Sequence, residues 1–188
     1  MPSAVVPAAG SASRFGGGKL FALVDGVPLL DRTLRTLLDA GIDDVVVVVP
    51  PDEGWGTDVA SLRDPRVRTA INPDPSRGMF SSIQIGLRVA AGAPVAVLPG
   101  DMPFVRSGTV KALLELPAAA GAIVSPRFQG RRGHPVLLPG DLLDAVRSAP
   151  ATAMLNQVLR PHAARFVNLD VDDPGVVRDV DAVEDLAR

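Results

Sequence analysis

Five consecutive valines, Val45 to Val49, constrain this chain more than any other stretch. A strand with one wet face alternates apolar and polar residues, so an unbroken β-branched run belongs to a strand buried on both faces. Parallel sheets covered by helices provide that environment. The residues before the run supply a matching helix: between Pro28 and Ala40, Leu30, Leu34, Leu37 and Leu38 fall on one face, with Pro28 near its start and Gly41 past its end. Val5 and Val6 read as the end of an earlier strand, which completes a strand-helix-strand unit.

The alternation continues. Val67 to Ile71 reads as a strand, Ser82 to Ala91 as a helix, Pro94 to Leu98 as a strand, Thr109 to Leu116 as a helix and Ala122 to Ser125 as a strand. Pro135 to Leu138, Ala153 to Leu159 and Arg165 to Val171 follow as strand, helix and strand, before a final helix around Val183 to Ala187. Pro50 to Gly56 and Phe128 to Gly133 read as surface loops, the second over the site. This order predicts an α/β fold with a mostly parallel sheet. The chain has 188 residues, 47% of them hydrophobic, and no internal repeat or low-complexity linker, so a single domain over 1–188 is expected.

Composition narrows the partners. A net charge of -2 gives no field to concentrate a nucleic-acid backbone or an anionic membrane. The absence of cysteine excludes disulfides and thiolate metal sites and fits a reducing compartment. No basic segment followed by a long apolar core opens the chain, and no stretch approaches the ~20 apolar residues of a membrane helix. The expectation is a cytoplasmic protein with neither nucleic acid nor membrane as partner.

In an open parallel sheet, ligands bind outside the carboxyl ends of the strands, so the residues after each strand carry the functional weight. After Val5 and Val6, the small residues Ala8, Ala9, Gly10, Ser11 and Ala12 let backbone N–H groups face anionic oxygens, and Arg14 and Lys19 add charge. A triphosphate fits such a loop. Walker A does not fit, because Ser13 stands where it needs Gly and Leu20 where it needs Ser or Thr, and no G-x-G-x-x-G follows the strand. Asn72-Pro73 and Arg77 to Ser82 follow Ile71, Pro99-Gly100-Asp101-Met102-Pro103 follow Leu98, and Gly133-His134-Pro135 come after Ser125. Asp179-Val180-Asp181 lies near the end. Mg²⁺ takes one or two carboxylates plus phosphate oxygens, which Asp101 and Asp181 can supply if the fold unites them. Ser82 reads as a helix cap as readily as a ligand contact. His134 reads either as a loop residue held by hydrogen bonding or as a contact to a second substrate, and Arg131 and Arg132 either as solvated charges or as attractors of a phosphorylated substrate.

The ordered series AAGSASRFGGGKL, NPDPSRGMFSSIQIGL, LPGDMPFV, GHPVLL and DVDDPGVVRDVDAVEDL resembles the MobA-like nucleotidyltransferases, most closely their molybdenum cofactor cytidylyltransferase branch, over the whole chain. The resemblance implies a Rossmann-like three-layer αβα nucleotidyltransferase fold that transfers a nucleotidyl group from a nucleoside triphosphate and releases pyrophosphate. It implies CTP as substrate, Mg²⁺ as cofactor, the phosphorylated small molecule molybdopterin as acceptor and a molybdenum hydroxylase as partner. Carried over by position, Ala8, Ala9, Gly10 and Ser11 would wrap the triphosphate, with Arg14 on the outer phosphates and Lys19 near the α-phosphate. Ser82 would face the base or ribose, and Asp101 would hold Mg²⁺. Asp181 would be the second carboxylate, with Asp179 as neighbour or alternative.

The departures point in different directions. Pro7 is similar to the opening of isoprenoid-pathway cytidylyltransferases, yet those carry Asp-Ala-Ala-Arg-Pro where this chain has Asp101-Met102-Pro103. Ala182-Val183 stands where the family has Thr-Pro. Ala-Ala-Gly in place of the Ala-Gly-Gly of guanylyl transfer favours cytosine. Guanylyl, sugar-phosphate and isoprenoid-phosphate transfer stay open, as does a noncatalytic cofactor-binding chaperone, against which the retention of Lys19, Asp101 and the Asp179/Asp181 pair argues.

Overall fold

A computed structural model describes residues 1–10, 18–52, 54–116, 121–150 and 152–180. Its strands are β1 (Ser3–Pro7), β2 (Leu23–Val24), β3 (Val27–Pro28), β4 (Val45–Val49), β5 (Val67–Ile71), β6 (Val95–Val97), β7 (Ile123–Phe128), β8 (Arg131–Arg132), β9 (Val136–Leu138) and β10 (Phe166–Asp170). The α-helices are α1 (Leu29–Asp39), α2 (Met79–Val89), α3 (Ser107–Leu114), α4 (Leu143–Ser148) and α5 (Leu155–Leu159). One sheet runs β10-β7-β9-β6-β1-β4-β5, with β8 paired to β7. Within it β9 runs antiparallel to β6 and β7, and β8 antiparallel to β7; the other pairings are parallel. β2 and β3 form a separate small hairpin.

The valine run sorts its side chains by the two-residue period of a strand. Val45, Val47 and Val49 pack with Leu30, Leu34, Leu37 and Leu38 of α1 and with Val110 and Leu113 of α3. Val46 and Val48 pack with Phe80, Ile83 and Leu87 of α2 and Val146 of α4. All five are buried, each contributing about 1.5–3 kcal/mol of apolar transfer free energy. The result is three layers, with the sheet between α1 and α3 on one face and α2 and α4 on the other. Among the described residues no helix is long and apolar enough to cross a membrane.

Several expected boundaries move. The helix expected from Ser82 begins at Met79, since Gly78, with φ of 86°, lets the chain turn sharply into the first turn that buries Phe80. The stretch 128–133 is a hairpin, not a loop. Gln129 and Gly130, with φ of 47° and 80°, form a two-residue turn that folds β8 back on β7, as right-handed strand twist favours. The strand expected at 135–138 forms as β9 but runs against its neighbours. α4 has no counterpart in the expected elements, and the helix expected at 183–187 lies outside the described residues.

Candidate functional site

The carboxyl ends of β1, β4 and β6 open into a recess of about 630 Å³, lined among others by Ala8, Ala9, Gly10, Lys19, Ser82 and Asp101. Ala8 departs from expectation. Its N–H donates to the Val48 carbonyl at 2.8 Å, extending the ladder between β1 and β4, so Ala8 walls the recess with its methyl group and has no N–H to offer a phosphate. Gly10 faces open space, where an added Cβ would meet nothing within 4 Å. Ser11 and Arg14 lie outside the described residues, as does Asp181.

Asp101 is set in place from three sides. Beyond β6, the N–H of Leu98 donates to the Val5 carbonyl and that of Gly100 to the Pro7 carbonyl, so the chain follows β1 to its last residue before turning away. Thr33 of α1 donates its hydroxyl to the Gly100 carbonyl at 3.1 Å, and Thr36 donates to the Val105 carbonyl at 2.9 Å. The N–H of Val180 donates to the Asp101 carbonyl at 3.0 Å. The side chain is then presented at the sheet edge, where its Oδ2 accepts from Lys19 Nζ at 2.9 Å. The two side chains are only 21% and 12% exposed. A charged hydrogen bond with so little solvent around it concentrates opposite charges at one point of the recess.

Ser82 lies in the first turn of α2, buried rather than at the helix cap. Its hydroxyl accepts from Asn72 Nδ2 at 3.0 Å, and the same amide donates to Ser81 Oγ at 2.9 Å. Ser81 in turn donates to the Gly78 carbonyl at 2.8 Å. Accepting from Asn72 leaves the Ser82 O–H to donate elsewhere, and Ser82 lines the larger recess. The site thereby holds a hydrogen-bond donor.

A second recess of about 280 Å³ adjoins the first, and Asp101 and Met79 line both. Its other walls come from the β8 hairpin, with Arg131, Arg132 and His134, and from the segment carrying Val176 and Asp179. Asp173 anchors that segment: its buried carboxylate accepts from Arg106 N at 3.0 Å, Thr109 Oγ1 at 2.7 Å and Gly175 N at 3.0 Å. Close approach requires glycines. A Cβ on Gly175 would stand 2.0 Å from the Phe104 carbonyl oxygen, and one on Gly133 2.1 Å from that of Val176. Exposed Asp179 is thus carried to the recess that Asp101 also borders. These carboxylates are hard oxygen donors of the kind a divalent cation takes when phosphates complete its shell. Among the described residues no group of three or more acidic or histidine side chains forms a closed cage.

The backbone N–H of His134 donates to the Val176 carbonyl at 2.8 Å, and the ring Nδ1 lies 3.4 Å from the Val97 carbonyl. Burial pushes its imidazole below the ordinary 6.5, outweighing the Val97 carbonyl and the Asp101 and Asp179 charges, which act in the opposite direction. Burial thus favours the neutral ring. Arg132 rests its guanidinium 4.3 Å from the centroid of the Phe166 ring, which holds one cation of the hairpin in place.

Sequence reasoning passed over Asn72 as a positioning residue and Met79 as the shared wall. It also read Trp55, which lines the larger recess, as part of a surface loop. Their signal is three-dimensional, except that Asn72 directly follows a correctly read strand.

Fold and recesses together define an α/β protein with two adjoining recesses at the carboxyl edge of a mainly parallel sheet. Residues 4–166 match the model of the MobA-like NTP transferase domain, and the chain belongs to that family. Among curated relatives, 2-C-methyl-D-erythritol 4-phosphate cytidylyltransferase of Aeromonas hydrophila is 33% identical over 131 residues, covering 68% of this chain and 53% of that protein. Probable molybdenum cofactor guanylyltransferase of Haloferax mediterranei is 32% identical over 110 residues, 58% of this chain and 51% of that protein. Phosphoenolpyruvate guanylyltransferase of Rubrobacter xylanophilus is 34% identical over 171 residues, 85% and 77% respectively. The chain spans about half the length of the first two. Among solved structures, a nucleotidyl transferase from Methanothermobacter superposes with a TM-score of 0.80 at 24% identity, covering 100% of this chain and 95% of that one. Rv0371c of Mycobacterium tuberculosis H37Rv in complex with manganese superposes with a TM-score of 0.73 at 20% identity, covering 100% and 96%. These likenesses show the fold.

Proposed function

We propose that this protein transfers a nucleotidyl group from a nucleoside triphosphate to a phosphorylated small molecule, and that the pair is CTP and molybdopterin. One observation carries the reading: two recesses meet at Asp101, with Lys19 bonded to it at 2.9 Å. Transfer between two anionic substrates requires one place where both can approach with their charge offset. The larger recess takes the triphosphate donor. Ala9, Gly10 and Ser11 border its phosphates, Arg14 holds the outer ones, and Lys19 turns from Asp101 toward the α-phosphate. Ser82 donates to the base or ribose. The smaller recess takes the acceptor, whose phosphate Arg131 and Arg132 attract and whose body rests against His134.

An oxygen of the acceptor phosphate attacks the α-phosphorus, the bond from that phosphorus to the bridging oxygen of the β-phosphate breaks, and pyrophosphate leaves with the electron pair. No residue forms a covalent bond; the chain's contribution is alignment and charge. Asp101, with Asp179 or Asp181, would hold Mg²⁺, which when bound neutralises the triphosphate and stabilises charge in the transition state. A relative of similar fold in complex with manganese supports a divalent cation here.

A second reading has its own support: the phosphoenolpyruvate guanylyltransferase relative matches 85% of this chain. In that reading GTP is the donor and the acceptor a small phosphorylated carboxylic acid. Competition kinetics with CTP and GTP, read as pyrophosphate release with Mg²⁺ and molybdopterin, phosphoenolpyruvate or 2-C-methyl-D-erythritol 4-phosphate, separates the possibilities. The expected result is at least a tenfold preference in kcat/KM for CTP with molybdopterin, about one hydrogen-bond group's worth of discrimination. GTP preference with phosphoenolpyruvate supports the second reading. Absence of transfer to molybdopterin with any nucleotide removes the first.

A further inference from the structure

The larger recess has a wall supplied neither by the phosphate loop nor by Ser82. Trp55, the chain's one tryptophan, and Phe21 meet edge to face, with ring centroids 5.3 Å apart and planes at 68°. Both line the recess that Ala8, Ala9 and Ser82 also line. They belong to the side of the sheet packed by α1, whereas Ser82 comes from α2 on the opposite side. The recess therefore lies between a hydroxyl and an aromatic surface.

The segment that carries the indole is held by its backbone, and the ring by Phe21. The backbone N–H of Trp55 donates to the Asp52 carbonyl at 3.3 Å, and that of Val59 to the Gly56 carbonyl at 2.9 Å. Gly56 beneath it packs so closely that a Cβ would lie 2.7 Å from Leu62 Cδ1. Phe21 and Leu62 join Trp55 against the core cluster, leaving the indole half-buried at the cavity edge. An aromatic surface at the edge of an open recess that Lys19, Asp101 and Ser82 also line matches the one part of a nucleoside triphosphate that is flat and apolar on its faces. Phosphates and ribose gain nothing from it; a base does.

We infer that Trp55, backed by Phe21, is the stacking surface for the donor's base. This rests on the reading of the recess as the nucleotide site. Every base has a π-face, so the surface contributes affinity without choosing among bases, and the choice falls to hydrogen-bonding groups such as Ser82. Loss of base–aromatic stacking lowers affinity by about 5- to 150-fold, and the partial exposure of this indole places the expectation near tenfold.

The test titrates the full chain with Mg²⁺-CTP, Mg²⁺-GTP and inorganic tripolyphosphate, following tryptophan emission and, in parallel, heat of binding. Both nucleotides are expected to change Trp55 emission, and tripolyphosphate to bind without doing so. Trp55→Leu should weaken both nucleotides about tenfold and by similar factors, leave tripolyphosphate unchanged, and be largely rescued in Trp55→Phe. Calorimetric binding of nucleotide to the wild-type protein with unchanged emission, or with unchanged affinity in folded Trp55→Leu, overturns the inference and leaves the nucleotide site standing. Absence of nucleotide binding to the wild-type protein overturns the site reading and the inference with it. Should Trp55→Leu fail to fold, the wild-type emission result still decides.

Discussion

Replacing Lys19 with methionine is predicted to tighten metal binding when no nucleotide is present. The ammonium and the Asp101 carboxylate are bonded at 2.9 Å, so a cation arriving alone at Asp101 must first displace Lys19, and a triphosphate arriving alone at Lys19 must first displace Asp101. A hydrogen bond between charged groups contributes about 1.5–3 kcal/mol when sheltered, and an exposed ion pair about 0–1 kcal/mol. With side chains 12% and 21% exposed, the pair lies between these limits, at about 1–2 kcal/mol, or ~5- to 30-fold in an equilibrium constant. Mn²⁺ is the convenient probe, because electron paramagnetic resonance reads the free ion directly. Lys19→Met should bind Mn²⁺ ~5- to 30-fold more tightly than wild type without nucleotide. Asp101→Asn should likewise bind CTP more tightly in EDTA, read by calorimetry. In the wild-type protein the two ligands should then bind cooperatively, since one opening of the pair serves both. An unchanged or weakened Mn²⁺ affinity in a folded Lys19→Met variant would refute the reasoning.

Asp101→Ala should reduce pyrophosphate release below about a tenth of the wild-type rate, a loss above ~1.4 kcal/mol, while circular dichroism shows the fold retained; a faster variant would remove Asp101 from the machinery. Gly175→Ala drives a Cβ to 2.0 Å from a backbone carbonyl, which should cost about 1–3 kcal/mol of stability and raise the Mg²⁺ concentration for half-maximal rate by displacing Asp179. Wild-type stability with a normal Mg²⁺ response would show that the segment does not need its close approach. His134 binds its proton more weakly folded than unfolded, because burial lowers its pKa from 6.5. Its contribution to stability is therefore complete above pH 6.5 and declines as pH falls below it. Urea midpoints at pH 7.5, 6.5 and 5.5 should show that decline in the wild type and a shallower one in His134→Gln. Equal slopes would disprove it. The surface carboxylates are separable from this effect: Arg165 holds Asp141 and Arg127 holds Asp170 below the ordinary 3.8, so their contributions fade only below that pH.

The parallel centre of the fold was legible because it is written in local pattern. Val45 to Val49 and Val67 to Ile71 form strands at the expected residues, since β-branched runs between turn signals leave little alternative. Most of what was missed depends on partners distant in sequence, and the rest on an unusual local backbone. The reversed direction of β9 follows from its place between β6 and β7, which three residues of strand do not announce. The β8 hairpin required Gln129 to take a positive φ, a conformation that its side chain does not advertise. Residues at strand ends were legible as a group, because a parallel sheet gathers them at one edge. Their bonds were not: the capture of Ala8 N–H by Val48, the pairing of Lys19 with Asp101 and the hold of Asn72 on Ser82 all join segments that sequence leaves apart.

The geometry also bears on why related chains carry names with different bases and acceptors. The two recesses share Asp101 and Met79, and their remaining walls come from separate elements. On the proposed reading the donor side would be built from Ala8 to Gly10 after β1, the segments around Phe21 and Trp55, and the first turn of α2. The acceptor side would then be a hairpin extension of β7 and a segment held by Asp173. A change at Arg131, Arg132 or His134 alters the chemistry facing the acceptor without disturbing a core pair of β4. A change at Trp55 or Asn72 alters the donor side and leaves the hairpin as it is. If the two recesses take donor and acceptor as proposed, charge at their junction and recognition divided between separate walls would let one fold change its acceptor without relinquishing its donor.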